Sequence, residues 1–215
     1  MPKPLILVQA GHLAPREPGF ESGTGAAGEQ ELVDAIRVQL VGRLKRDKRF
    51  RVRTCNGKIK RPLPFRCDIF LSLHGDGSAN PDARGHSYGW PVDEPKPTRL
   101  LELLAGEYTQ LAGVPPHHAD NYTGALRHYY GYSRVIAGAK VLIEHGFLSN
   151  PDDRAWMFAR TAAIAAAHHR ALEQYFGMTL ERLDKRKPLP GPRRKPAWFW
   201  PALAEFLRRR KKAEL

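Results

Sequence analysis

Three side chains that could bind a metal or move a proton follow apolar segments of the chain. His12 follows LILVQAG, His74 follows IFLSL, and Glu144 follows KVLI. In open α/β sheets, the loops beyond the carboxyl ends of the strands build the active site. Each residue alone could simply hydrogen-bond at a strand edge, but the three together favour one shared site. Zinc prefers imidazole nitrogen and carboxylate oxygen, and a catalytic zinc keeps three protein ligands and one open position.

Two histidines leave one metal ligand to be found, and Glu29 is the first candidate. It opens a predicted helix directly after the loop rich in Gly, Pro and Ser/Thr that follows His12. Glu31 is the alternative ligand. A carboxylate in the first turn of a helix is also stabilised by the helix dipole alone, so position by itself leaves a purely structural role open for Glu29.

The elements that must position these residues alternate between strand and helix. Apolar runs bounded by turn residues predict strands at residues 4–10, 50–54, 68–73 and 139–143. Leucines and isoleucines four residues apart predict an amphipathic helix over residues 29–46, and further helices are expected at 100–111 and 152–176. Asn150 can cap the last helix, with Pro151 at its first position. This alternation predicts an α/β fold with a mostly parallel sheet covered on both faces.

Composition and charge separate a catalytic-size unit from a basic tail. The 215 residues are 42% hydrophobic, enough for one substantial core but short for two catalytic domains. We expect a catalytic domain at residues 1–177, followed at 178–215 by a Pro-rich linker and a cationic amphipathic helix. The net charge is +13, and residues 185–215 hold eleven Lys/Arg against two Glu. A polyanion-binding role is therefore expected mainly in the tail. Cys55 and Cys67 are expected to be unpaired structural thiols.

The tail combines aromatic and cationic side chains. Its proposed envelope-binding residues are Trp198, Phe199, Trp200, Arg208, Arg209, Arg210, Lys211 and Lys212. This combination suits an interfacial helix on anionic lipid, where apolar burial and charge attraction add. The alternative is that the apolar residues pack on the catalytic domain while the basic end is solvated. No recognisable nucleic-acid motif is present, and no specific nucleic-acid partner is expected.

Four sequence motifs resemble those of zinc N-acetylmuramoyl-L-alanine amidases of the amidase-3 type. They are GH at 11–12, GEQEL at 28–32, DIFLSLHGDGS at 68–78 and LIEHGFLSNPDD at 142–153. The resemblance implies a single twisted sheet of about six strands between helices. It also implies that His12, Glu29 and His74 bind Zn²⁺ and that Glu144 is the catalytic carboxylate.

The resemblance further implies hydrolysis of the amide bond between N-acetylmuramic acid and L-alanine in peptidoglycan. His128 and His145 are candidate substrate-binding residues. The first apolar run spans four residues, too short for a secretory signal. Together with the resemblance and the cationic tail, this leads us to expect a phage lysis enzyme that is made in the cytoplasm and reaches the wall after release. We expect it to be a monomer. A zinc carboxypeptidase or endopeptidase, and a non-enzymatic wall- or membrane-binding module, are the rival hypotheses.

Overall fold

The computed structural model describes residues 2–12, 20–21, 25–114, 116–118, 120–124 and 129–178. Its strands, in chain order, are β1 (Leu5–Ala10), β2 (Phe20–Glu21), β3 (Arg51–Asn56), β4 (Lys58–Ile59), β5 (Arg66–Asp76), β6 (Ser87–Gly89) and β7 (Ile136–Phe147). Five of these strands form the main sheet in the order β3-β1-β5-β7-β6, and β2 pairs with β4 separately. Strands β3, β1, β5 and β7 are parallel, whereas β6 is antiparallel to β7. The predicted α/β class with a mostly parallel sheet is confirmed.

The helices are α1 (Glu29–Arg46), α2 (Thr98–Ala112), α3 (Tyr130–Arg134), α4 (Pro151–Ala159) and α5 (Thr161–Tyr175). Helix α1 has the predicted bounds because its apolar residues recur on one face, and Leu32, Ile36 and Leu40 are fully buried. The predicted cap of α4 is also confirmed. The Asn150 side chain accepts hydrogen bonds from the amides of Asp152 and Asp153, and Pro151 occupies the first turn.

The two faces of the sheet are covered differently. Helices α1, α2 and α5 bury the main core against one face, which includes Ile6, Leu71 and Ile143. On the other face, a smaller cluster around Phe70 packs against side chains of residues 55–65, Val135 and Tyr129. Because side chains alternate across a strand, Gln9, Ser72, His74 and Glu144 belong to this second face.

The structure departs from the sequence-based expectations in three places. The main sheet has five strands in the described residues, where about six were expected. The predicted last helix is divided at Arg160, whose φ of −128° and ψ of 18° interrupt the helical geometry between α4 and α5. Strand β6 was not predicted, because three residues are too few to show a periodic pattern.

The chain divides into a compact unit, Met1–Met178, and a second unit, Thr179–Leu215. The second unit lies outside the described residues, as do the predicted tail residues Trp198–Trp200 and Arg208–Lys212. Among the described residues, none of the helices combines the length and the apolar character that crossing a membrane requires.

Candidate metal and catalytic site

The ends of three elements bring His12, Glu29 and His74 together. His12 follows β1, Glu29 is the first residue of α1, and His74 lies near the end of β5. One donor atom from each lies within 4.8 Å of the other two. The Glu29 Oε1 atom is 3.2 Å from His74 Nδ1 and 3.6 Å from His12 Nε2. Two imidazoles and one carboxylate form a donor set that suits a catalytic zinc site.

Backbone contacts fix the Glu29 carboxylate in this position. Its Oε1 accepts a hydrogen bond from the Gly75 amide at 3.1 Å, and its Oε2 accepts one from the Ala26 amide at 2.9 Å. Glu31, the alternative ligand, lies in the same helical turn but is exposed. Of the two carboxylates, the structure therefore brings Glu29 to the histidines.

A hydrogen-bond network on the far side of His74 determines which ring nitrogen faces Glu29. The Gln9 amide nitrogen donates to the Gly57 carbonyl, which directs Gln9 Oε1 toward two hydroxyls. Ser72 Oγ and Tyr129 Oη donate to this oxygen at 2.8 and 3.0 Å. Both hydroxyl oxygens lie 3.1 Å from His74 Nε2 and can accept its proton. Without a metal, Nδ1 can donate to Glu29 Oε1. The two hydroxyls can accept a proton on Nε2, which is the tautomer that would leave the Nδ1 lone pair for a metal.

Two glycines allow the backbone to approach the site closely. A Cβ atom at Gly11 would lie 2.2 Å from His74 Cε1, and one at Gly25 would lie 2.4 Å from Glu29 Oε2. No other residue type fits at these two positions without moving a candidate ligand.

The electrostatics of His12 and Glu29 favour the protonation states that metal binding requires. Burial lowers the pKa of His12, although the Glu29 carboxylate opposes this shift. Burial alone would raise the pKa of Glu29, but hydrogen bonding to His74, together with the nearby histidines and the Gly75 amide, holds that pKa below its usual value. His12 therefore stays neutral and Glu29 ionised, as ligands must be. His12 Nδ1 is buried without a hydrogen-bond partner among the described residues.

Glu144 lies on the strand next to His74 and faces the same side of the sheet. The two residues are direct partners in the β5–β7 register. Burial, with the nearby charges of Asp76 and Glu29, raises the pKa of the Glu144 carboxyl well above its usual range. Its Oε2 atom is buried and has no hydrogen-bond partner in the described part of the chain. A carboxylate held in this way is suited to accepting a proton.

The two predicted substrate-binding histidines have different outcomes. His128 lies outside the described residues. His145 does not reach the site, because it follows Glu144 on a continuing strand and points to the opposite, helix-covered face. Its Nδ1 contacts the His74 carbonyl at 2.7 Å, and its Nε2 lies 2.8 Å from Nε2 of His168 on α5. Both rings are buried, so His145 packs in the core and is not available to bind substrate.

A second cluster with metal-binding residue types, Asp47, His169 and Glu173, already contains a cation. Arg49 lies 2.7 Å from Asp47 Oδ2 and also pairs with Glu173. His169 Nε2 contacts Asp47 Oδ2 at 3.0 Å. The guanidinium group pairs with both carboxylates, so this cluster is an ion-pair network that connects the end of α1 to α5. His12, Glu29 and His74 form the other such group in the described residues.

The sequence and fold comparisons agree with this geometry. The family profile described as N-acetylmuramoyl-L-alanine amidase matches residues 6–174, well over half of the chain. The chain belongs to this amidase family. As an N-acetylmuramoyl-L-alanine amidase, it hydrolyses the amide bond between N-acetylmuramic acid and L-alanine in peptidoglycan. No match was found among curated protein sequences.

Solved structures of other amidases share the fold. The catalytic domain of CwlV from Bacillus (Paenibacillus) polymyxa is 14% identical with a TM-score of 0.62, over 82% of this chain and 99% of that one. The CwlD amidase from Clostridioides difficile, solved in complex with the GerS lipoprotein, is 17% identical with a TM-score of 0.59, over 81% and 98%. The catalytic domain of the CD27L endolysin, which targets Clostridia difficile, is 12% identical with a TM-score of 0.57, over 80% and 97%.

Sequence reasoning missed the residues that orient His74. Ser72 lies two positions before His74 and therefore on the same face of the strand, which is a usable signal. Gln9 interrupts an otherwise apolar strand and could also have been noticed. Tyr129 gives no local signal, because it reaches the site from a segment more than 50 residues away along the chain.

Proposed function

We propose that this amidase is zinc-dependent, with His12, Glu29 and His74 as the ligands. The observation that carries the proposal is the convergence of two imidazole nitrogens and one carboxylate oxygen within 4.8 Å at the carboxyl edge of the sheet. The glycines that pack against the donors agree with a site built around an ion. A zinc ion held there would lower the pKa of its bound water to about 7 and would polarise the amide carbonyl.

The catalytic carboxylate in this proposal is Glu144. It takes a proton from the attacking water and delivers one to the nitrogen of the departing L-alanine. Its raised pKa makes Glu144 a stronger base than an ordinary carboxylate, which suits accepting the proton of the water. Ser72 and Tyr129 keep His74 in the tautomer that leaves Nδ1 free, so their role is to position a ligand.

Metal removal combined with product analysis tests zinc dependence and the scissile bond together. The protein is dialysed against a chelator, assayed on purified peptidoglycan, and assayed again after one equivalent of Zn²⁺ is restored. We expect activity to disappear and return, and mass spectrometry should show intact stem peptides with a new L-alanine amino terminus. Full activity after exhaustive chelation would contradict zinc dependence. Cleavage within the stem peptide would instead favour a carboxypeptidase or endopeptidase.

We further propose that the enzyme acts in lysis, as a phage endolysin, and that the monomer is made in the cytoplasm and reaches the wall after release. The strongly basic composition suits an anionic envelope, and the proposed envelope-binding residues are the aromatic and cationic residues of the tail. The test compares the full-length protein with a variant in which Arg208 to Lys212 are replaced by Gln. We expect unchanged hydrolysis of soluble fragments but weaker, less salt-sensitive lysis of whole cells. Equal lysis by both proteins would contradict the role of these cations.

A further inference from the structure

The folded unit has a small net charge, but one segment of it is strongly positive. Residues 43–66 hold eleven Lys/Arg and one acidic residue, Asp47, for a net charge of +10. Residues 1–184 together have a net charge of +4, so the residues of that range outside 43–66 have a net charge of −6. The basic segment contains the last turn of α1, all of β3 and β4, and the start of β5.

The charges in this segment are mostly uncompensated and exposed. Arg49 is neutralised by Asp47 and Glu173. Five further cations of the segment are exposed and take part in no ion pair among the described residues. They are Lys45, Lys48, Arg51, Arg53 and Arg61. Unpaired surface cations of one sign produce a local field that attracts polyanions.

These cations line a groove along the outer edge of the sheet, where β3 is the terminal strand. Two cavities of about 630 and 430 Å³ share Lys45, Val52 and Arg53 and are therefore adjacent. We call this feature the β3 groove. A strand of six residues spans roughly 20 Å, and Arg51 and Arg53 are separated by about 7 Å along it. The groove therefore presents a row of cations to an extended chain.

The Phe65 side of the groove restrains the side chain of Arg53. The Arg53 guanidinium lies 4.2 Å from the centroid of the Phe65 ring, a cation–π contact that orders the side chain. The segment that leads through β4 to Phe65 begins at Gly57, whose carbonyl accepts a hydrogen bond from Gln9 of the His74 network. The β3 groove and the catalytic site thus share a structural connection.

Charged side chains on an edge strand also prevent strand-to-strand association. That task alone does not explain why this edge carries a long run of charges of a single sign beside a concave surface. We propose that the β3 groove binds a linear phosphodiester polymer of the cell envelope, such as a polyol phosphate. The concave shape suits a chain better than a planar bilayer. Two aromatic rings line the groove: Phe50 is buried, and Phe65 is covered by Arg53. The described residues therefore offer little surface for stacking nucleic-acid bases.

The first experiment measures binding of the full-length protein to poly(glycerol phosphate) at 0.05 M salt by titration calorimetry. The groove variant carries R51Q, R53Q and R61Q. The control variant loses the same charge elsewhere on the surface through K96Q, R99Q and R160Q. We expect the groove variant to lose affinity by about tenfold to hundredfold and the control by less than about threefold. Equal losses would show that total charge, and not the groove, determines binding.

The second experiment identifies the site and the class of polymer. Hydrogen exchange of the full-length protein should show protection of residues 45–65 when the polymer is added, and binding without such protection would overturn the proposal. Single-stranded DNA of equal charge and vesicles of 30% phosphatidylglycerol in phosphatidylcholine serve as competitors. We expect both to bind more weakly, and tighter binding of either would refute the choice of a polyol phosphate. Hydrolysis of soluble fragments should be unchanged in both variants, which separates this proposal from zinc dependence.

Discussion

Replacing Gly11 by alanine should remove His74 from the metal site without unfolding the protein. The added Cβ would lie 2.2 Å from His74 Cε1, 2.4 Å from Nε2 and 2.5 Å from Nδ1. Non-bonded carbon atoms prefer separations of about 3.5 Å, so the ring must move by roughly 1 Å. The φ angle of Gly11 is not positive, so alanine is compatible with the backbone there.

This displacement is large compared with the tolerance of a metal site. Metal–ligand distances are held within about 0.2 Å, so a ring moved by roughly 1 Å no longer coordinates the ion with the other two ligands. Loss of an outer-shell partner typically lowers metal affinity about 10–100-fold. We expect the loss of a direct ligand to reach at least the upper end of that range. The cost in folding stability should be smaller, about 1–3 kcal/mol for overpacking.

The assay is zinc affinity by competition with a chromophoric chelator, accompanied by thermal unfolding of the metal-free protein. Gly106→Ala is the matched control, because a Cβ at Gly106 on α2 would meet nothing within 4 Å. That control should keep the zinc affinity and gain about 1 kcal/mol in stability from its better helix propensity. If Gly11→Ala bound zinc within about threefold of the original protein, the proposed contact between Gly11 and a metal-binding His74 would be refuted.

Two further predictions concern His86 and Tyr129. Burial lowers the pKa of His86 to about 4, so its neutral form stabilises the fold fully above pH 6.5. That contribution to the free energy of unfolding, about 3 kcal/mol, should be lost as the pH falls from 6.5 through 4. In urea unfolding, the free energy of unfolding of His86→Gln should therefore depend less on pH than that of the original protein. Equal slopes for the two proteins would contradict this account. Tyr129→Phe should lower zinc affinity about tenfold or more. It should also increase the population of the Nδ1-protonated tautomer of His74, as measured by ¹⁵N NMR. An unchanged tautomer population would show that Tyr129 does not position the ring.

The predicted parts of the structure are those with a local signal. Helix α1 was predicted because an apolar stripe repeats along it, and the convergence of His12, Glu29 and His74 was predicted because each lies near the end of an element. The placement of His145 was wrong because an apolar run shows where a strand begins more clearly than where it stops. Strand β7 continues to Phe147, and alternation directs the side chain after Glu144 to the opposite face.

Features that depend on distant parts of the chain could not be predicted in this way. The contact between Tyr129 and His74 joins residues 55 positions apart, and no local pattern encodes it. The β3 groove was overlooked for a different reason. A charge summed over 184 residues cancels the basic edge strand against acidic residues elsewhere, and only the fold shows that the two signs occupy different surfaces.

The most direct test of the central claim is a zinc titration of Glu144→Gln and Glu29→Gln, with each variant also assayed for hydrolysis. Glu102→Gln, an exposed substitution on α2, is the matched control and should resemble the original protein. We predict that Glu144→Gln binds one equivalent of zinc normally while losing turnover by roughly 10²–10⁴-fold, because an amide cannot accept the proton. Glu29→Gln should bind zinc weakly. Normal zinc binding by Glu29→Gln together with loss of zinc from Glu144→Gln would reverse the assigned roles and contradict the account.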